Sequence, residues 1–278
     1  MMTEHWWSLL TILLRENINM RADIYVFNYG YAKSRQNAKV LIENGNVLID
    51  EIKVLKPSHD VDETVSHTVE IINKPRFVSR GGEKLDFAID KFGLDPKGLV
   101  CIDIGASTGG FTDCLLQRGA KLVYAVDSGH SQLDFSIESN EKVISIEKYN
   151  AKFMSELDFP CKFDLAVMDV SFISQTMIHR GISDILADDG ILISLIKPQF
   201  ECGKSALNSH GIVKKSSYHN QAICRVIDSA LICGFSCLDI IQSPIEGGSG
   251  NIEFLAFFKK SQMPENKISE NRIKQIIQ

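Results

Sequence analysis

The sequence lacks the patterns that define several classes of protein. Its seven cysteines are odd in number and form no Cys-x-x-Cys pair, and its seven histidines show no ligand-like spacing. A disulfide-rich secreted domain needs paired cysteines, so we expect reduced, structural cysteines and a cytoplasmic protein. Neither residue type is spaced as metal ligands are, and we predict no metal site.

Long apolar runs are also missing. The run Trp6–Leu14 is shorter than the roughly 20 residues that cross a bilayer. Glu4 and His5 precede it, where a signal peptide carries Lys or Arg, so we expect neither a signal peptide nor a membrane span. We interpret residues 1–20 as an extension or as residues upstream of the true start. We favour the second interpretation, because Met20 directly precedes a well-patterned domain.

A strong excess of either charge is absent. The chain of 278 residues has 30 Lys and Arg against 35 Asp and Glu, a net charge of −5. That total argues against a wholly basic nucleic-acid binder, and the length suggests roughly two domains. The charge is nevertheless uneven, because Lys74, Arg76, Arg80 and Lys84 fall within eleven residues that contain one Glu. This run is either a phosphate-binding patch or an ordinary linker that ends at a helix.

Residues 21–63 have the pattern of a small mixed domain. Helical spacing breaks at Gly30, and Ser34 is a candidate N-cap for a second helix that ends at Asn44-Gly45. The segments 47–49 and 52–54 then predict a hairpin around Asp50-Glu51.

This segment resembles the RNA-binding domain first described in ribosomal protein S-four, the alpha-L motif. The resemblance implies two short helices on a small sheet, with cations that contact structured RNA. We predict RNA contacts for Arg21, Lys33, Ser34, Arg35, Lys39 and Lys56, and for Arg76 and Arg80 in the basic run. The alternative for any single cation is a solvated helix face.

A glycine-rich turn follows the buried strand Leu99–Ile104. It begins at Gly105 in the sequence GASTGGFT, and a helical stretch follows it. The next strand ends at Asp127, whose carboxylate is placed to accept hydrogen bonds from a ribose diol. The turn does not match the Gly-x-Gly-x-x-Gly fingerprint of dinucleotide enzymes.

DIGASTGGFT resembles instead the first motif of class I S-adenosylmethionine-dependent methyltransferases. The resemblance implies S-adenosylmethionine as the cofactor. The predicted cofactor contacts are Asp103, Gly105, Ser107, Thr108, Gly109, Gly110, Phe111, Asp127, Asn150 and Asp169. Around Asn150 the chain reads Glu-Lys-Tyr-Asn-Ala-Lys, where the family usually shows Glu-Arg-Thr-Asn-Ala-Arg.

Strands and helices alternate from residue 99 to residue 258. Seven strands are predicted, at 99–104, 121–126, 143–147, 163–169, 191–196, 237–245 and 252–258, with helices at about 175–187 and 216–232. Alternation predicts a parallel, doubly wound sheet, and the last two strands, which have no helix between them, should pair antiparallel. The resemblance to class I methyltransferases implies that this α/β fold is of their type, a Rossmann-like seven-stranded sheet with the last strand antiparallel.

Two lysines and two acids follow strand ends or basic turns: Lys84, Asp169, Lys197 and Glu253. Their surroundings, SRGGEKL, MDVSF, IKPQFE and GNIEFL, resemble the Lys-Asp-Lys-Glu tetrad of FtsJ-like RNA ribose 2′-O-methyltransferases. Together with the alpha-L segment they resemble the TlyA, or haemolysin A, family over about residues 20–260. Each residue alone has a structural alternative, as a surface lysine, a cap, a turn residue or a buried ion-pair partner.

The resemblance implies methylation of a ribose 2′-hydroxyl, that of a cytidine, in ribosomal RNA. A lysine is a base only in its amine form, which burial or a second cation favours, so Lys197 is the candidate base and Lys84 the nearby cation. Asp169 would orient Lys197, and Glu253 would hold Lys84 or the ribose hydroxyl. The implied partner is ribosomal RNA or a ribosomal subunit, with neither DNA nor a membrane.

We predict the extension at 1–20, the alpha-L domain and linker at 21–80, the methyltransferase domain at 81–260 and a frayed tail or loose helix at 261–278. Two rival functions stay open: a membrane-active haemolysin and a non-catalytic RNA-binding assembly factor. The sequence specifies neither which nucleotide is modified nor whether the protein is a monomer or an oligomer.

Overall fold

The computed structural model describes residues 19–32, 34–73 and 75–277. It divides into two compact units after Pro75. The sequence predicted this boundary after residue 80, a few residues further along the chain. The structure divides earlier because Phe77 is already buried in a core of the second unit. The predictions for residues 1–18, including the apolar run, and for Lys33 and Lys74 lie outside the described residues.

The first unit is a small α+β domain with one apolar core, to which both helices and several strands contribute. Its elements are β1 (Asn19–Arg21), α1 (Ala22–Asn28), α2 (Arg35–Glu43), β2 (Val47–Ile49), β3 (Ile52–Val54), β4 (Asp60–Asp62) and β5 (Val69–Ile71). Strand β2 pairs antiparallel with β3 and β5, and β1 pairs antiparallel with β4.

Local side-chain chemistry explains how the second helix and the hairpin begin and end. The Ser34 hydroxyl accepts a hydrogen bond from the Asn37 amide at 3.1 Å, which confirms the predicted N-cap of α2. Gly45, just beyond the helix, has φ +67°. The predicted hairpin is confirmed, and Asp50 and Glu51 both have positive φ, as a tight hairpin turn requires.

The second unit is an α/β sheet with helices on both faces. Its elements are α3 (Arg80–Phe92), β6 (Val100–Ile104), α4 (Gly110–Gln117), β7 (Leu122–Val126), α5 (Phe135–Glu138), β8 (Val143–Ile146), β9 (Phe163–Met168), α6 (His179–Ile185), β10 (Leu186–Ile196), α7 (Pro198–Glu201), α8 (Ser216–Ile232), β11 (Phe235–Gln242), β12 (Phe254–Lys260) and α9 (Glu270–Ile276). Short 3₁₀ helices lie at Ala151–Phe153, Glu156–Asp158, Gln175–Met177 and Lys204–Ala206.

The strand order in this unit is β11-β12-β10-β9-β6-β7-β8. Strands β6 to β10 are mutually parallel, whereas β12 runs antiparallel to both β10 and β11. The predicted seven-stranded sheet with an antiparallel last strand is therefore confirmed. Apolar side chains on its two faces form two cores, one with α3 and α4 and the other with α6, α8 and α9.

Two details differ from the sequence predictions. The helix expected over 175–187 is a 3₁₀ turn followed by α6, and β10 begins at Leu186, ahead of the expected stop at Asp188-Asp189-Gly190. Leu186 is buried and pairs with Phe163, so packing on β9 extends the strand across those polar residues, with a register shift before Ile191.

The stretch 261–278, expected to be a frayed tail or a loose helix, contains α9, which is packed on the second unit. Ser269 caps this helix by accepting a hydrogen bond from the Arg272 amide at 3.2 Å. Ile273 and Ile276 are buried in the larger core. The four isoleucines of this polar stretch, Ile268, Ile273, Ile276 and Ile277, are too few and too unevenly spaced to predict that packing.

Candidate active site

The sheet gathers the predicted catalytic residues at one edge. Asp169 follows β9 and Lys197 follows β10, at the carboxyl ends of adjacent parallel strands. Glu253 directly precedes β12, and because β12 is antiparallel its first residue, Phe254, pairs with Ile196. Lys197 and Glu253 are therefore brought to the same edge, where open α/β sheets bind their ligands.

Lys84 and Glu253 form a buried ion pair across the fold. The Lys84 ammonium donates a hydrogen bond to Glu253 Oε2 at 2.5 Å, although 169 residues separate the two in sequence. The residues are 7% and 3% exposed, respectively. Of the two partners predicted for Glu253, the structure therefore shows Lys84.

Lys197 and Asp169 form the second pair, with 2.6 Å between Nζ and Oδ1. The Lys197 ammonium also donates a hydrogen bond to the Ser171 hydroxyl at 2.8 Å. Sequence reasoning did not select Ser171, although it stands inside the MDVSF motif that carries Asp169. Its position two residues after a strand-end carboxylate was the available signal.

Both lysines face one cavity of about 260 Å³. Its walls include Lys84, Asp169, Ser171 and Lys197, and Arg80 stands on the same walls. Gly105, Ser107 and Asp169 also line a neighbouring cavity of about 320 Å³, which Asp127 and Asn150 complete. The two cavities thus meet at the glycine-rich turn after β6 and at Asp169.

The glycine-rich turn is shaped for close approach by a ligand. Gly105 has φ +85°, and a Cβ there would lie 2.6 Å from the Asp169 carbonyl oxygen. The Asp127 carboxylate accepts hydrogen bonds from the amides of Ser107 at 2.9 Å and Gly129 at 2.6 Å, so it is fixed beside that turn. A backbone cradle open to a cavity, with a carboxylate at its rim, fits the amino-acid and ribose parts of S-adenosylmethionine.

The predicted cofactor residues fall into two groups. Gly105, Ser107, Thr108, Gly110, Phe111, Asp127, Asn150 and Asp169 line one or both cavities. Asp103 is fully buried instead, and Gly109 begins α4 with φ +92°. Asp103 supports the cradle from its buried side, and Gly109 supports it at the start of α4.

Asp103 is a buried acid held by one hydroxyl. Thr112 Oγ1 donates a hydrogen bond to Asp103 Oδ2 at 2.7 Å. Burial raises the pKa of Asp103 to about 7, the Thr112 hydrogen bond opposes the rise, and the charge of Asp169 adds to it. Removal from water disfavours the ionised form of a carboxyl, which accounts for the direction.

Phe172 stands at the mouth of the larger cavity with 92% of its surface exposed. Its φ of +65° is rare for a bulky residue. Its ring lies 5.3 Å from that of Phe200. The sequence analysis did not single it out, because one Phe in a loop motif carries no sign of exposure.

In the first unit, two of the predicted RNA-binding arginines flank one buried acid. Arg21 and Arg35 each place Nε 2.9 Å from an Asp23 carboxylate oxygen. Burial acts to raise the pKa of Asp23, but the hydrogen bonds and charges of the two arginines outweigh it, so the pKa lies below its usual value. Asp23 therefore holds both cations at defined positions beside α1 and α2.

The other predicted RNA-binding residues have varied surroundings. Lys56 is exposed and Lys39 is partly exposed. The Ser34 hydroxyl is engaged as the cap of α2, which gives it a structural role. In the second unit Arg80 is exposed at the cavity that both lysines face, whereas Arg76 forms an ion pair with Asp86.

Among the helices of the described residues, none is long and apolar enough to cross a membrane. The same part of the chain contains no cluster of His, Cys, Asp and Glu suited to holding a metal ion.

Comparison with known proteins identifies the class. Residues 77–260 match the FtsJ-like methyltransferase family, and residues 20–65 match the S4 domain. The chain is 40% identical to Hemolysin A of Brachyspira hyodysenteriae over 240 residues, which cover 86% of this chain and 99% of that protein. It is 35% identical to the 16S/23S rRNA (cytidine-2′-O)-methyltransferase TlyA of Mycobacterium tuberculosis over 239 residues, covering 86% and 89% of the two chains.

A solved structure agrees with both matches. A Streptococcus thermophilus protein described as a hemolysin superposes with a TM-score of 0.73 at 39% identity, covering 93% of this chain and 94% of that one. The fold and the cradle define an S-adenosylmethionine-dependent methyltransferase with an S4 domain. The chain belongs to the FtsJ-like methyltransferase family, together with Hemolysin A and TlyA.

Proposed function

We propose that this protein methylates the 2′-hydroxyl of a cytidine ribose in ribosomal RNA. The proposal is carried by two ion pairs, Lys84 with Glu253 and Lys197 with Asp169. Both lysines and Asp169 line one cavity beside the cofactor cradle. The relatives named for this reaction support the choice of cytidine and of ribosomal RNA. Because the proposed substrate is ribosomal RNA, we also propose that the protein acts in the cytoplasm.

A ribose hydroxyl is a weak nucleophile until its proton is removed. In the proposed reaction Lys197, in its amine form, takes that proton. Asp169 and Ser171 hold the Lys197 nitrogen through contacts of 2.6 and 2.8 Å. S-adenosylmethionine, when bound, supplies an electrophilic methyl group on its sulfonium.

Lys84 supplies the second cation of the cavity. Glu253 fixes its ammonium from the buried side, so Lys84 can donate a hydrogen bond to the substrate oxygen without moving. No bond to the protein has to form in this scheme, so positioning of the hydroxyl against the methyl group supplies most of the rate.

Features outside the two ion pairs also favour an RNA substrate. Phe172 offers an exposed ring at the mouth of the larger cavity, beside the cavity that holds the two lysines, and unpaired bases stack on such rings. Arg80 adds a cation on the wall of the cavity, suited to a phosphate. The S4 domain adds a second cationic element, with Arg21 and Arg35 held by Asp23.

The test is transfer of radiolabelled methyl groups to ribosomal subunits that lack the modification, followed by nuclease digestion. We expect label in 2′-O-methylcytidine. Label on a base, or no transfer to either subunit, would contradict the proposal. Release of dye from liposomes, measured in parallel, tests the haemolysin alternative.

A further inference from the structure

A buried carboxylate outside the two ion pairs connects the segments that carry Asp169 and Lys197. Glu201 ends α7, the short helix that begins directly after Lys197, and it is 2% exposed. Its Oε2 accepts a hydrogen bond from the Ser174 hydroxyl at 2.5 Å, and its Oε1 accepts one from the Gln175 amide at 3.0 Å. Ser174 and Gln175 end the segment that begins at Asp169.

The segment 169–175 is thus held at both ends. At its start, the Asp169 amide donates to the carbonyl of Ile104 at 3.0 Å, which continues the parallel sheet. At its end, Glu201 holds Ser174 and Gln175. Between these points stand Ser171 and Phe172, on the walls of the larger cavity.

Gln175 extends the network back to β10. Its side-chain amide donates to the Leu195 carbonyl at 3.1 Å and accepts a hydrogen bond from the Ser194 hydroxyl. Leu195 lies two residues before Lys197, so the strand that delivers the lysine is tied to the segment that delivers its partners. The Glu201 carbonyl is held in turn by Arg225 of α8 at 2.8 Å.

The free-energy cost of burying the Glu201 carboxylate indicates that this residue has a functional role. Burial raises the pKa of the Glu201 carboxyl, while the hydrogen bonds from Ser174 and Gln175 oppose that rise. A buried carboxylate is expensive unless its hydrogen bonds are satisfied, and an apolar residue would pack here more cheaply. The carboxylate fixes the distance between α7, which follows Lys197, and the segment 169–175.

We infer that Glu201 is a positioning residue for methyl transfer, which holds the segment 169–175 so that Asp169 and Ser171 meet the Lys197 ammonium. The inference rests on the proposed function, because it assigns a role within that reaction. Glu201 does not touch the reacting atoms and acts through the loop. Loss of its carboxylate should disturb the direction of the Lys197 nitrogen more than it disturbs either binding site.

The test compares Glu201→Gln with wild type in single-turnover methyl transfer to ribosomal RNA. We expect the rate at saturation to fall at least tenfold, since small misplacements of catalytic groups have effects of about that size or larger. The affinities for S-adenosylmethionine and for RNA should fall by a smaller factor than the rate, because most of both binding sites lies outside the segment that Glu201 holds. Glu156→Gln is the matched control, because Glu156 pairs with Lys162 on the surface, and its rate should equal wild type.

Ser174→Ala removes one of the two hydrogen bonds and carries the test if Glu201→Gln does not fold. The double variant Ser174→Ala/Glu201→Gln should be no slower than Glu201→Gln alone, because both changes break the same contact. A merely structural role predicts a lower unfolding midpoint with an unchanged rate per folded molecule, and that result would overturn the inference. Failure of wild type to methylate RNA would instead contradict the proposed function.

Discussion

Lys84 and Glu253 meet at 2.5 Å although 169 residues separate them, and the pair is almost fully removed from solvent. One partner comes from the first turns of α3 and the other from the residue before β12. The contact forms only when the last strand has been inserted into the sheet. The pair therefore links completion of the fold to assembly of the proposed catalytic cavity.

Removing one partner of this pair should be costly. Glu253→Gln leaves the Lys84 charge buried without its counter-ion, and we expect the free energy of unfolding to fall by about 3–5 kcal/mol, measured by urea denaturation. The double variant Lys84→Met/Glu253→Leu should recover most of that stability and remain inactive. An exposed pair offers the control: Glu265→Gln, which breaks the contact with Lys267, should cost less than about 1 kcal/mol. Full stability of Glu253→Gln would argue against a tight buried pair.

Gly105→Ala should abolish cofactor binding. The new Cβ would lie 2.6 Å from the Asp169 carbonyl oxygen at a φ of +85°, so the turn must move. Gly93→Ala is the matched control, because Gly93 also has positive φ but a Cβ there meets nothing within 4 Å. It should cost about 1 kcal/mol of stability and leave cofactor affinity unchanged, as calorimetric titration would show. Equal cofactor affinity in the two variants would contradict the cradle.

Asp103 should make stability depend on pH. Below about pH 3.8 the carboxyl is protonated in both states; between 3.8 and about 7 the unfolded chain ionises while the folded protein keeps its proton. The unfolded state then binds fewer protons, so the free energy of unfolding falls as pH rises through this window, by an amount on the order of 4 kcal/mol.

Asp103→Asn cannot ionise and should lack this contribution. The free energy of unfolding of wild type, minus that of the variant, should therefore decrease from pH 4 to 7 and stay constant above that. A difference independent of pH would show that Asp103 is not a buried acid with a raised pKa.

The S4 unit should contribute to RNA affinity through phosphate contacts. Lys39→Gln removes one partly exposed cation of α2, and we expect weaker RNA binding with a salt dependence reduced by about one charge. Cofactor affinity should not change. Lys267→Gln removes one charge from the second unit near its C-terminal helix and serves as the control. Equal effects of the two variants would indicate a response to net charge alone.

The sequence predicted which residues share one edge of the sheet, because the rule behind that prediction is geometric. Carboxyl ends of parallel strands converge, so Gly105, Asp127, Asp169 and Lys197 could be placed together from strand ends alone. The pairing of Asp169 with Lys197 was also predicted and is confirmed.

What the sequence did not reveal depends on approaches between distant loops. Ser171 and Glu201 carry no pattern of their own, and their partners, Lys197 and Ser174, are set by how α7 packs beside the segment after β9. Buried Leu186 extended β10 across a polar stop signal for the same reason, since tertiary packing overrode local propensity.

The most direct measurement of the central claim is methyl transfer by Lys197 variants. Lys197→Ala should bind S-adenosylmethionine within about threefold of wild type and lose at least a thousandfold in transfer to ribosomal RNA. Lys197→Arg keeps the positive charge but holds its proton at any accessible pH, so it should be equally inactive. This combination of intact cofactor binding and absent 2′-O-methylation is the predicted result. Transfer at near wild-type rate by either variant would contradict the assignment of Lys197 as the base.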